Sequence, residues 1–293
     1  MNMHVPQSIT TSIELEVLAA VPTQIVGPRE NKPVIGIVQD TLVGANNFTK
    51  YDVYLTKNEV MNLLIWFDNF DGNLPKPDYD GVGEIPEEMN LYKYEVDGPM
   101  WSGRRILSMI LPKINLQKNN MVYEDIEDET HKQQNRIKIE NGEIVDGVFD
   151  KSLLGAKAQG LVHVIFNDYG PEMTKKFLDS LQNIVTNWLI TSGFSVGISD
   201  LMASSESHKE IKSIVAQKKK EVAQIIQHVH KGILENNTGK PNSEEFELQV
   251  NKYLNQAVNE SGKKVIRQLD KDNRMINMVS CGSKGSVINI GQM

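Results

Sequence analysis

The most constraining feature of this chain is a long amphipathic pattern over residues 205–234, with a second one close behind it. Ile211, Ile214, Val215, Val222, Ile225, Ile226, Val229 and Ile233 recur at steps of about three and four, the period of one helical face. Asn236 to Pro241 is polar and turn-forming. Residues 242–261 then carry Phe246, Val250, Leu254 and Ala257 on one stripe. Two long helices joined by a short polar loop bury their stripes by folding back on each other. The expectation is therefore an antiparallel helical hairpin.

Upstream the pattern is mixed, so the fold class expected is α+β: a small-sheet region followed by the hairpin. Residues 8–20 read as a short helix, with Thr11 and Glu14 at capping-box spacing and Pro22 as its stop. The β-branched run Val34-Ile35-Gly36-Ile37-Val38 reads as a strand. Thr56 and Glu59 form a second capping box ahead of Val60, Leu63, Leu64 and Phe67. Residues 69–99, rich in Gly, Pro, Asp and Glu, read as an irregular solvated loop. Residues 136–149 read as a hairpin, because Ile137 and Ile139 alternate with polar residues and Asn141-Gly142 is a type I′ turn signal. Leu161 to Phe166 reads as another strand. A helix follows from Pro171 through Phe177, Leu181, Ile184 and Trp188 to Gly193.

Composition narrows function mainly by exclusion. The net charge of −7 argues against a free-standing DNA-coating protein, since phosphate binding needs a positive field. It leaves room for one part of a larger nucleic-acid machine. A single cysteine, Cys281, allows no internal disulfide and no cysteine-pair zinc site, which fits a reducing compartment. The opening residues carry neither a basic stretch nor an apolar one, so no signal peptide is expected. No apolar run approaches membrane-span length.

Three motifs bear on chemistry. His228 and His230 stand two apart on an expected helix and so face different ways, whereas helical metal ligands need a spacing of three or four. Lys218-Lys219-Lys220 reads as the wet face of a helix rather than a nucleic-acid patch. Gly282-Ser283-Lys284-Gly285-Ser286 combines a bendable backbone with a point charge but is not a P-loop, since its lysine precedes the second glycine. Phosphate binding and a plain connecting turn both remain open for it. From the residues alone, the reading stops at a mixed α and β chain with a helical hairpin.

Several blocks, taken in order, go further. They are Met1-Asn2-Met3-His4-Val5-Pro6-Gln7-Ser8, Gln24-Ile25-Val26, Asn31-Lys32-Pro33 and Gly36 to Leu42. Trp101-Ser102-Gly103, Gly160 to Val164 and Gly193 to Ile198 follow. Last come Gly282 to Ser286, Ile288-Asn289-Ile290 and Gln292-Met293. The ordered set resembles the largest subunit of eukaryotic-type, multi-subunit DNA-directed RNA polymerases, that is, RNA polymerase II and its relatives. Only about residues 73–98 and 118–135 look unlike the cellular enzyme. That divergence, with the acidic segment around Glu84 to Glu88, points to a large DNA virus as source. The location implied is the nucleus for a cellular enzyme, and the viral factory, host cytoplasm or virion for a viral one.

The resemblance implies three regions: the tail of the active-site domain (1–40), a pore domain (41–190) and a funnel domain carrying the hairpin (191–293). It implies an enzyme that transfers nucleotides in the full complex. Magnesium would be bound outside this segment, with no metal and no catalytic residue within it. Asn69-Phe70-Asp71-Gly72-Asn73 imitates the family's Asp-Phe-Asp-Gly-Asp metal loop but keeps one carboxylate, so it reads as a turn. The true loop is expected ahead of Met1, and the bridge helix and trigger loop beyond Met293, which makes the chain a fragment or one piece of a split gene. Lys284 matches a basic residue near the phosphates of the incoming NTP. Asn255, Ile288, Asn289 and Gln292 match residues near the trigger loop and bridge helix. Val258 stands where polymerase II has an arginine important for its mushroom toxin, and Gly291 replaces an alanine. The implied partners are the second-largest and other polymerase subunits, template DNA, RNA, NTP and a transcript-cleavage factor, with no membrane. The rival readings are a stand-alone interaction protein and a nucleic-acid-binding module that kept the fold without catalysis.

Overall fold

A computed structural model describes residues 3–68, 70–82, 98–120, 136–202, 204–236, 238–269, 273–286 and 288–289. The chain divides into two compact units. One is Met1–Gly193 with Ser280–Ser283, and the other is Phe194–Val279 with Lys284–Met293.

The first unit opens with helix α1 (Ile9–Val17). Its cap is Ser8, whose Oγ accepts the Thr11 N–H at 3.2 Å, so the Thr11 and Glu14 pair lies inside the helix rather than at its start. None of its residues is buried. A 3₁₀ turn over Val21–Gln24 takes Pro22 into its first positions. Strands β1 (Val26–Gly27) and β2 (Lys32–Pro33) pair antiparallel.

The expected strand at Val34–Val38 is not formed. This run pairs with no strand among the described residues, and its backbone finds isolated partners instead: Val34 N–H donates to the Ile25 carbonyl and Ile37 N–H to that of Leu154. β-branched residues favour extended backbone, but a ladder also needs a partner edge. Helix α2 (Gln39–Phe48) starts directly after it.

Strand β3 (Tyr54–Thr56) runs into helix α3 (Lys57–Leu64), where both bonds of the Thr56–Glu59 capping box are made. Strand β4 (Met100–Ser102) pairs antiparallel with β3, Leu55 opposite Trp101, and leads into helix α4 (Gly103–Ser108). The segment before β4 is irregular where described, yet it is tied down: Trp101 Nε1–H donates to the Pro75 carbonyl at 2.8 Å, and Asp78 accepts the Ser102 N–H at 2.7 Å.

Strands β5 (Leu116–Asn119), β6 (Arg136–Glu140) and β7 (Glu143–Asp146) form an antiparallel sheet in that order. The expected hairpin is β6–β7. Asn141 and Gly142 both have positive φ, +52° and +84°, as a type I′ turn requires. Ile137 and Ile139 face inward on alternate positions.

Helix α5 (Lys151–Leu154) is followed by α6 (Leu161–Tyr169), which corrects the strand expected at Leu161–Phe166. The buried residues Leu161, Val162 and Ile165 sit at helical spacing. A short apolar run cannot be told from a buried helix by periodicity, and packing decides it. Helix α7 (Pro171–Ser192) has Pro171 in its first turn, buries Phe177, Leu181, Ile184 and Val185, and ends at Gly193. Its stripe and α2 close the core, in which Phe48, Phe149 and Phe177 are fully enclosed. Burying each such side chain contributes about 1.5–3 kcal/mol. At Gly44 the helices approach so closely that an added Cβ would lie 2.5 Å from a Val185 methyl.

The second unit has a 3₁₀ turn (Ile198–Leu201) and three helices among its described residues: α8 (Ser205–His230), α9 (Asn242–Gln268) and α10 (Arg274–Ser280). α8 and α9 form the antiparallel hairpin, and α9 runs beyond the expected end at Ser261. The bonds between the two arms run in opposite sequence directions, Lys264 to Glu210 at 3.2 Å and Lys218 to Glu260 at 3.6 Å, and Gln249 Nε2 on α9 donates to the Glu235 carbonyl in the connecting loop at 3.0 Å.

Lys218 departs from expectation. Lys219 and Lys220 are exposed, but the Lys218 side chain is only 12% exposed and lies in the seam, near Tyr253, Gln256, Glu221 and Glu260. It stands four after Ile214 and four before Val222, on the apolar stripe itself.

Candidate functional site

The sequence motif Gly282–Ser286 is divided between the two units, and the candidate site is its part in the second unit, around Lys284. In the second unit the turn is approached through α10. Asn273 caps that helix, its Oδ1 accepting the N–H groups of Met275 at 2.9 Å and Ile276 at 3.2 Å, while its Nδ2 donates to the Asp200 carbonyl at 2.8 Å. The buried Asp200 carboxylate accepts from the Gly197 N–H at 2.8 Å, the Arg274 N–H at 3.2 Å and the Arg274 guanidinium at 3.4 Å. The Gly197 bond first, then Arg274, holds this carboxyl below its ordinary range against the opposing effect of burial.

In the first unit the Cys281 carbonyl accepts the Lys151 N–H at 2.9 Å. The Cys281 thiol is buried, and burial pushes its pKa up, which leaves it a poor nucleophile. Gly282 takes φ +80°, a left-handed conformation open to glycine at little cost.

Past that point, in the second unit, Lys284 is exposed and its N–H donates to the Met278 carbonyl at 3.4 Å. Gly285 also has positive φ, +79°. Ser286 Oγ donates to Asn289 Oδ1 at 2.7 Å, and the Asn289 N–H donates to the Ser286 carbonyl at 3.0 Å. Asn289 and Ile288 are exposed. Asn255 is exposed on α9. Gln292 lies outside the described residues. A compact cation beside the left-handed Gly285 suits an anionic ligand.

Sequence reasoning missed Asp200, Asn273 and Arg274. Two signals were available: Gly197 and Asp200 stand at capping-box spacing, and Asn273 precedes a short apolar run in the manner of a helix cap.

Asp71 is engaged within its own turn. Its Oδ1 accepts the Asn73 N–H at 2.9 Å and its Oδ2 the Asn73 side-chain amide at 3.2 Å. His228 and His230 are exposed in the last turn of α8.

The family profile described as RNA polymerase Rpb1, domain 3, matches residues 24–201, and that described as RNA polymerase Rpb1, domain 4, matches residues 226–293. This chain belongs to the family of RNA polymerase largest subunits. The consecutive matches make it the part of that subunit that spans domains 3 and 4, and the family acts in DNA-directed RNA synthesis as a multi-subunit complex with DNA and RNA. No helix among the described residues is long and apolar enough to cross a membrane.

RNA polymerases use magnesium. Among the described residues no group of three or more His, Cys, Asp or Glu could share an ion, and Asp71 is a lone carboxylate between amide-bearing neighbours.

Proposed function

We propose that this chain shapes the channel through which nucleotides reach the polymerase active centre and that Lys284 steadies the phosphates of the incoming NTP. In this reading residues 1–40 close the active-site domain, 41–190 form the pore and 191–293 form the funnel. Nucleotide addition itself takes place on residues outside the segment. The observation that carries the reading is an exposed lysine in the Gly282–Ser286 turn of a chain whose domain 4 match includes that turn.

A triphosphate concentrates negative charge, and an ammonium within reach adds a charge-assisted hydrogen bond that strengthens as charge develops on the phosphates. Asn255, Ile288, Asn289 and Gln292 support the neighbouring trigger loop and bridge helix of the full enzyme. The second-largest subunit completes the channel, and a transcript-cleavage factor enters by the same path.

The test is elongation by assembled polymerase across an NTP titration, with melting measured in parallel. Lys284→Ala should lower kcat/KM for NTP by about ten- to a hundred-fold, equivalent to about 1.5–3 kcal/mol. Stability should change by no more than about 0.5 kcal/mol, because the side chain is exposed. Lys284→Arg should recover part of the loss. Unchanged kcat/KM in the alanine variant would make Lys284 a solvated turn residue.

A further inference from the structure

We infer that Asp200 and Asn273 are positioning residues for nucleotide use: they lock the start of α10, and the far end of α10 holds the backbone from which Lys284 projects. This rests on the reading of Lys284 given above.

Every residue in this series of contacts lies in the second unit. The first N–H groups of a helix have no partner inside it. Here Asn273 Oδ1 accepts those of Met275 and Ile276, and Asp200 Oδ1 accepts that of Arg274. Asn273 Nδ2 also donates to the Asp200 carbonyl, which fastens the cap to the 3₁₀ turn over Ile198–Leu201. Asp200 and Asn273 are both more than nine-tenths buried, at 8% and 6% exposure, so water competes little for these bonds. A helix of seven residues does not persist on its own propensity. α10 also buries none of its residues, so the bonds at its start weigh heavily in placing it.

The other end of α10 meets the base of Lys284. The Lys284 N–H donates to the Met278 carbonyl at 3.4 Å. The next residue, Gly285, lies against Val279, where an added Cβ would be 3.4 Å from the Val279 Cγ2 methyl. The Lys284 side chain is exposed, so the reach of its ammonium follows from where its backbone sits. The links from Asp200 to Lys284 are a buried carboxylate, a capped helix and a backbone bond. A lysine on a shifting base samples many positions, and each phosphate contact then carries an ordering cost.

The experiment uses the assembled polymerase containing this chain. It measures kcat and KM for NTP, together with hydrogen exchange over residues 274–279. Asp200→Asn and Asn273→Ala should each raise exchange there and lower kcat/KM by about three- to ten-fold, mainly through KM. In the Lys284→Ala background each should add little, because both changes remove one interaction. Asn273→Ser keeps a capping oxygen but loses the amide that donates to the Asp200 carbonyl, so its loss should be smaller than that of Asn273→Ala. If Asp200→Asn or Asn273→Ala fails to assemble, Asn273→Ser with and without Lys284→Ala carries the same test.

An unchanged kcat/KM in the Asp200 and Asn273 variants, beside the expected loss in Lys284→Ala, overturns the positioning role and leaves the reading of Lys284 standing. So does an equal loss from these variants with and without Lys284, which would mean a generally weakened structure. No effect from Lys284→Ala overturns both.

Discussion

Arg274 donates to Asp200 twice, from its backbone N–H to Oδ1 at 3.2 Å and from its guanidinium to Oδ2 at 3.4 Å. With the Gly197 N–H, these bonds favour the ionised carboxyl and lower its folded-state pKa. A depressed carboxyl contributes stability that is fully present above its unfolded pKa, about 3.9 for an aspartate. That stability is lost as pH falls through the lower folded value. Asp200→Asn should therefore destabilise the helix over Arg274–Ser280 at neutral pH, and the gap between variant and parent should shrink as pH drops below about 4. Hydrogen exchange of residues 274–280 across a pH series, corrected for intrinsic rates, reads this directly. A gap independent of pH would mean that Asp200 acts without its charge.

Gly103 lies against the Phe48 carbonyl, and an added Cβ would be 1.9 Å from that oxygen. Backbone cannot yield as a side-chain tip can, so Gly103→Ala must move α4 away from the end of α2. The cost should be about 1–3 kcal/mol, the usual range for overpacking a close-packed interior. Urea unfolding of the chain should show a lower midpoint. A midpoint equal to the parent's would show that the two segments separate freely.

The elements legible in the sequence were those whose signals are local. The Thr56–Glu59 box, the Asn141-Gly142 turn, the α7 stripe and the long hairpin each carry their instruction within a few residues. The misread elements depend on what packs against them. Val34–Val38 has strand chemistry but no edge to pair with, and Leu161–Phe166 becomes a helix because Leu161, Val162 and Ile165 face one core. The short helices over Gly103–Ser108 and Lys151–Leu154 are too brief to show a period. The candidate site was half legible: glycine chemistry pointed to the segment that carries Lys284, but the bonds from Asn273 and Arg274 to Asp200 span 73 and 74 positions and no local pattern encodes them.

The purified chain alone should not extend RNA. In-line phosphoryl transfer needs metal ions that stabilise both the attacking and the leaving oxygens. The one carboxylate in the loop that imitates the metal-binding sequence is Asp71, and both its oxygens are engaged by Asn73. Those bonds lower its pKa, the backbone N–H first, but one anion does not make a magnesium site. Template-dependent synthesis by the 293-residue chain, measured with labelled NTP and a primed template, would contradict this.

The assembled enzyme should resist the mushroom toxin that blocks polymerase II. The resemblance places an arginine important for toxin binding at the position held here by Val258. Asn255 and Val258 are three apart on α9 and both exposed, so they present one outer patch of that helix. Valine offers no donor. A toxin group that accepts a hydrogen bond from the arginine would be left without a partner, at a cost of about 1.5–3 kcal/mol, or roughly ten- to a hundred-fold in affinity. Val258→Arg tests the cause rather than the correlation. On this exposed face the new side chain opens no cavity, so stability should shift by about 0.5 kcal/mol or less. Inhibition should strengthen while elongation in the absence of toxin stays near the parent rate. Equal sensitivity of the parent enzyme and polymerase II, in toxin titrations run side by side, would remove Val258 from the explanation.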